Sequence, residues 1–130
     1  MDNWSAQPLI EVNGIEFGMN RKEVRKVLSG EVREFRKSKF SKSTTDDFGT
    51  CHVYYDNNDK CEAIEVFGDV TVSIADKVIF PSDIKTIEKM ISDIAEEDGS
   101  YISKQLSIGI YAPNGKMESI LFGAKGYYTD

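Results

Sequence analysis

Four times along the chain, two short runs that alternate apolar and polar residues flank a few turn residues, and this recurrence limits the fold more than any single motif. "LIEV" and "IEF" sit around Asn13 and Gly14, "CHVYY" and "KCEAIEVF" flank "DNND", "DVTVSI" and "DKVIF" meet at Ala75 and Asp76, and "SIGIYA" and "KMESILF" flank "PNG". Runs rich in β-branched and aromatic residues suit a pleated, half-buried surface, while Asn and Gly accept the left-handed backbone of tight hairpin turns. Most of the chain is therefore read as antiparallel strand pairs.

Two segments depart from this period. In "FGMNRKEVRKVLSG", Asn20 is a helix cap, Glu23 stands where a capping box needs it, Met19 can staple onto Val24, and Gly30 stops the helix. Val24, Val27 and Leu28 then form its core stripe. After Phe80 and Pro81 a second helix is predicted with Ser82 as cap, Ile84, Ile87, Ile91 and Ile94 facing inward, and Gly99 at its end. The two halves also align: in residues 15–68 and again in 78–123, a Phe precedes a helix and the chain returns through a Tyr, a turn, a Lys and an "E-x-I" strand. The prediction is one α+β domain over residues 1–130, a curved antiparallel sheet with two helices packed on one face, built as a degenerate tandem repeat of helix plus β-meander.

A chain of 130 residues is long enough to bury one core without disulfides or metals. Sixteen basic against twenty-two acidic residues give a net charge of −6, which disfavours nucleic acid and anionic membranes as partners. The basic residues between Arg21 and Lys39 read as a solvated face, with a minor anion-binding patch as the alternative. No apolar run approaches the ~20 residues that span a bilayer, and "MDNWSAQPLIEVNG" has neither the basic nor the apolar region of a signal peptide. A cytoplasmic protein with reduced thiols is the expectation.

The only histidine and both cysteines fall in "FGTCHVYYDNNDKCEAIEVFG". With Asn57 and Asn58 as the turn, Tyr54 faces Cys61 and His52 faces Ala63. Strand alternation then puts His52, Tyr54, Cys61, Ala63, Glu65 and Phe67 on one side, and Cys51, Val53, Tyr55, Lys60, Glu62, Ile64 and Val66 on the other. Cysteines on opposite faces predict free thiols. His52, Cys61 and Glu65 would share a face, so a Cys-His nucleophile pair or a three-ligand metal site is one reading. The acidic surroundings oppose a thiolate, and no metal-ligand spacing or phosphate loop occurs, so neither catalysis, nor a metal, nor any cofactor is expected. The other reading is a binding protein that meets a basic partner with an acidic, tyrosine-bearing surface, whose candidate residues are Asp46, Asp47, Tyr54, Asp56, Asp59, Glu62 and Glu65.

The segments "FGMNRKEVRKVL", "TTDDFGTCHVYYDNNDKCEAIEVF" and "SIGIYAPNGKMESILFGAKGYY" resemble small bacterial immunity proteins of toxin-immunity loci, including those of contact-dependent growth inhibition. The resemblance implies a non-enzymatic function: binding a cognate toxin domain, a basic nuclease, in the cytoplasm and neutralising it. "GMNRKEVRKVLSG" is also similar to the first helix of the outer-membrane lipoprotein and β-lactamase-inhibitor type of repeat, which implies helices paired with antiparallel sheets. Neither resemblance assigns a contact to an individual residue.

Overall fold

The structure, a computed structural model, describes residues 2–41 and 43–128. Its first helix, α1 (Arg21–Val27), forms where the capping signals lie: Asn20 is extended (φ −77, ψ 162), its side chain accepts from the Glu23 N–H at 2.9 Å, and Glu23 Oε1 accepts from the Asn20 N–H at 3.3 Å. Only Val24 of the helix is buried; Val27 is exposed and Leu28, the C-cap, packs at the margin of the core.

The second helix, α2 (Ile84–Met90), departs from the prediction at both ends. Its cap is Asp83, which accepts from the Thr86 N–H at 2.8 Å, and Ile91 is already extended (φ −119, ψ 105). Ile87 and Ile91 are buried while Ile84 and Ile94 are only partly so. Of the residues expected to complete the helix, 91–94 form a turn and Ala95–Glu97 a strand, and Gly99 is not a helix stop: Asp98 (φ 49) and Gly99 (φ 85) make the left-handed pair of a hairpin turn. Asp93 fixes the exit, accepting from Ser103 Oγ at 2.6 Å and from the Gln105 N–H at 3.0 Å.

Strands dominate the rest of the described residues. In order they are β1 (Asp2–Gln7), β2 (Glu11–Val12), β3 (Ile15–Glu16), β4 (Arg33–Phe35), β5 (Thr45–Asp47), β6 (Cys51–Tyr55), β7 (Cys61–Val66), β8 (Val70–Ile74), β9 (Lys77–Phe80), β10 (Ala95–Glu97), β11 (Ser100–Ser103), β12 (Ile108–Tyr111) and β13 (Ser119–Gly123). They form two sheets where one was predicted: an antiparallel eight-stranded sheet, β10-β11-β12-β13-β7-β6-β5-β4, and a five-stranded sheet, β3-β2-β1-β8-β9. In the second, β1 and β8 run parallel, Trp4 opposite Val72. Burial of Trp4 and Ala6 on alternate positions anchors β1, whose sequence "DNWSAQ" has no β-branched residue to announce it. The turns at Asn13–Gly14 and Ala75–Asp76 lie where the sequence placed them, each with positive φ at both residues.

One buried cluster unites these parts. Cys51, Val53, Tyr55, Ile64, Val66, Ile108, Ile110, Ile120 and Phe122 on one face of the large sheet pack with Val24 of α1, Ile87 of α2, and Trp4, Val12, Ile15, Val72, Ile79 and Phe80 of the small sheet. This is the inner face; the opposite, outer face receives neither helix. Neither helix is long and apolar enough to cross a membrane. Asn20→Ala removes the side-chain half of the capping box and is expected to cost about 1 kcal/mol, measured by denaturant unfolding with an unchanged m value.

Candidate interaction surface

The β6–β7 hairpin adopts a register two residues away from the predicted one from Cys51 to Tyr54, and one residue away at Tyr55. Cys51 pairs with Val66, His52 with Glu65, Val53 with Ile64 and Tyr54 with Ala63, but Tyr55 pairs with Cys61, so Glu62 is an extra residue in β7. The turn is responsible. Asp56 Oδ1 accepts from the Asn58 N–H at 2.8 Å and the Lys60 N–H at 3.0 Å, and Asp59 takes positive φ (61), so the loop is wider than a two-residue turn at Asn57 and Asn58.

This bulge corrects the assignment of faces. Cys61 lies inside with Cys51, and Glu62 lies outside. Both thiols are free, as predicted, and both are buried; they stay apart because their cross-strand partners are Val66 and Tyr55, not because they occupy opposite faces. Burial, with Asp47 nearby, pushes the Cys51 thiol up to about 12, and burial pushes Cys61 to about 12. His52 and Glu65 are cross-strand neighbours on the outer face, whereas Cys61 belongs to the core; the three do not converge, and the Cys-His-Glu site read from the sequence is not formed. Among the described residues no three His, Cys, Asp or Glu side chains are grouped to hold a metal ion.

The seven candidate contact residues divide into two sets. Asp46, Asp56 and Asp59 are committed within the molecule. Asp46 on β5 is fully buried, receiving Arg21 Nη1 at 2.8 Å, Arg25 Nη2 at 2.7 Å and Nε at 2.9 Å, and the Tyr55 hydroxyl at 2.9 Å. Arg21 also donates from Nη2 to the Thr44 carbonyl, pairs with Asp59 at 2.8 Å, and lies 4.1 Å from the Tyr55 ring centroid. Arg25 reaches Glu34 at 2.7 Å. The two arginines project from α1 one turn apart, so the cluster predicted to be a solvated basic face is in part the counter-charge of a buried carboxylate. Burial alone pushes the Asp46 carboxyl up; the hydrogen bonds from Arg25 and Tyr55 and the arginine charges outweigh it and hold the group below its ordinary value.

Asp47, Tyr54, Glu62 and Glu65 make the second set, on the outer face. Tyr54 is buried there, its hydroxyl donating to Glu65 Oε1 at 2.5 Å and its ring covered by Lys37, whose Nζ is 3.8 Å from the centroid. Glu65 Oε2 accepts from Ser119 Oγ at 2.8 Å. Beside them Asp47, Gly49, His52, Glu65, Phe67, Tyr111, Glu118 and Ser119 line an open groove of about 340 Å³. The His52 ring meets Phe67 edge-on at 4.6 Å and Phe35 at 5.0 Å, and Asp47 Oδ1 is 3.7 Å from His52 Nε2. Glu118 and Ser119 were not among the predicted contacts, because the link between β12 and β13 is longer than its "PNG" turn and only strand pairing brings it beside β7. Tyr127 and Tyr128 lie beside Tyr54 and Glu65 on this face, over Gly123 and Gly109: a Cβ at Gly123 would come within 2.5 Å of Tyr127 Cβ, and one at Gly109 would collide with the Tyr128 hydroxyl.

Asp46→Asn is expected to lower stability by about 3 kcal/mol at neutral pH. Because the Asp46 carboxyl lies below its ordinary value of 3.8, its contribution is complete above that pH and is lost as the pH falls through the folded-state value. The stability difference between wild type and variant, from urea unfolding at a series of pH values, should therefore shrink below pH 3.8 and stay constant above pH 5 or so. Native protein should leave both thiols unmodified by a thiol-specific reagent at neutral pH and expose two on denaturation. Comparison with protein-family models, curated proteins and solved structures found no match, so the chain's own surface is the guide to its function.

Proposed function

We propose that this chain is an immunity-type protein, which binds a basic toxin domain, a nuclease, in the cytoplasm and neutralises it without catalysis. The observation that carries the reading is the outer face of the eight-stranded sheet. It is clear of both helices and joins aromatic groups, with Tyr111 45% exposed, to carboxylates of Asp47, Glu65 and Glu118 around one groove. A net charge of −6 supports capture of a basic partner through electrostatic steering. The resemblance of "TTDDFGTCHVYYDNNDKCEAIEVF" to immunity proteins adds the class of partner.

The strand order also supports the tandem-repeat reading of residues 15–68 and 78–123. Each helix is followed by four strands of the large sheet, and the two sets meet antiparallel at β7 and β13 in mirror order. On this reading a helix-plus-meander unit was duplicated, and the outer face is the surface that the two units create together.

Co-expression with the product of the adjacent gene is expected to restore growth when that product is toxic, and the two proteins should co-purify in a stoichiometric complex whose association slows with added salt. Charge reversal at the exposed Glu118, Glu118→Lys, should slow association several-fold without changing the thermal midpoint. No rescue and no complex would sink the proposal.

A further inference from the structure

Building on that binding role, we infer that the groove bounded by Asp47, His52, Glu65, Phe67, Tyr111 and Glu118 is a socket for an arginine side chain of the partner. The chain contains its own template for such a site. Arg21 lies over the Tyr55 ring at 4.1 Å and is held by two carboxylates, Asp46 and Asp59. On the outer face Tyr54 repeats the theme, with Glu65 on its hydroxyl and Lys37 over its ring at 3.8 Å. A basic side chain thus fills each of these two tyrosine-carboxylate sites.

The adjoining groove has the same ingredients and no such filling. Its walls are aromatic and its rim acidic, yet no lysine or arginine is among the described residues that line it. A guanidinium is the group these walls suit: it stacks on a ring face through its plane while its edge donates to carboxylates, and it sheds water more readily than an ammonium. The groove is built before a partner arrives. Glu65 is held by the Tyr54 and Ser119 hydroxyls, His52 is wedged edge-on between Phe35 and Phe67, and Asp47 Oδ1 accepts from the Gly49 N–H at 2.8 Å. Glu118 and Tyr111 have exposed side chains at the mouth, joined by the Glu118 N–H donating to the Tyr111 carbonyl at 2.8 Å, where they can meet the guest. Its volume of about 340 Å³ is ample for one side chain and leaves room for the partner's backbone to lie across the sheet.

The test is a heteronuclear NMR titration of the folded protein with an arginine hexapeptide, and with lysine and glutamine hexapeptides of equal length. The arginine peptide should give saturable shifts concentrated at His52, Phe67, Tyr111 and Ser119, with the lysine peptide at least about threefold weaker and the glutamine peptide silent. Tyr111→Ala and Glu118→Gln, both at exposed positions and with unchanged thermal midpoints, should weaken arginine-peptide binding about tenfold and several-fold. Shifts no larger in the groove than around Glu96, Glu97 and Asp98, equal binding of the lysine peptide, or full affinity in Tyr111→Ala would each overturn the proposal. A toxin complex that forms while the peptide leaves the groove unperturbed removes the socket and leaves the neutralising role standing. Peptide capture in the groove without any toxin bound upholds the socket and removes that role.

Discussion

Opposite Tyr54 and Tyr55, strand β7 carries Cys61, Glu62 and Ala63, so one strand advances by a single residue while its partner advances by two. The pleat cannot absorb that difference without changing sides. Beyond the bulge, Ile64 and Val66 point inward and Ala63, Glu65 and Phe67 outward; before it, Cys61 points inward and Glu62 outward. Without the extra residue, either Cys61 would leave the core or Ile64 and Val66 would. Since β7 is the central strand that pairs with β13, its parity is passed to Ile120 and Phe122, and from there to Ile108 and Ile110. Residues Ala63 to Val66, in phase with both β6 and β13, thus carry the division of the large sheet into a core side and a presenting side, and the bulge lets Cys61 at the hairpin's end return to the core while Glu62 stays outside.

The same turn region meets the buried ion network. Asp59 leaves the loop to pair with Arg21, Asp46 comes from β5, and Tyr55 is the residue directly beside the bulge. Bringing a carboxylate into a core costs several kcal/mol, and two guanidinium groups with a phenol are what offset it here. The result is specificity of position. α1 has few apolar residues to fix its rotation, with Val24 alone fully buried, and the arginines on its next faces set where it sits relative to β5. Charge thus substitutes for hydrophobic area in orienting a seven-residue helix that would not hold together alone.

What the sequence made legible follows from how local each signal is. The capping box at Asn20 and Glu23 and the tight turns at Asn13–Gly14 and Ala75–Asp76 involve residues a few positions apart, and each appears where it was predicted. The end of α2 is hidden in the sequence because isoleucines at helical spacing continue past Met90; hydrogen bonds from Ser103 and Gln105 to Asp93, beyond the reach of a helical period, accompany the turn into β10 instead. The second sheet was not legible, since β1 is recruited by burial of Trp4 against a strand nearly 70 residues away. The candidate surface was half legible: Asp47, Tyr54, Glu62 and Glu65 are gathered outside, whereas Asp46, read as a surface contact, is enclosed by two arginines from a helix more than twenty residues earlier. Cross-strand parity is a reliable guide only as far as the first bulge.

Gly109 and Gly123 carry a consequence for the size of any footprint on the presenting side. They are the places where that surface is flush with its own backbone, and the rings of Tyr127 and Tyr128 rest there like inlay. The terminal segment therefore spends apolar area of the sheet on an intramolecular contact, and the surface divides into an occupied half and a vacant one. A partner meets a bounded window whose one border is drawn by the chain itself, and the placement of that border depends on two positions at which the protein has no side chain at all.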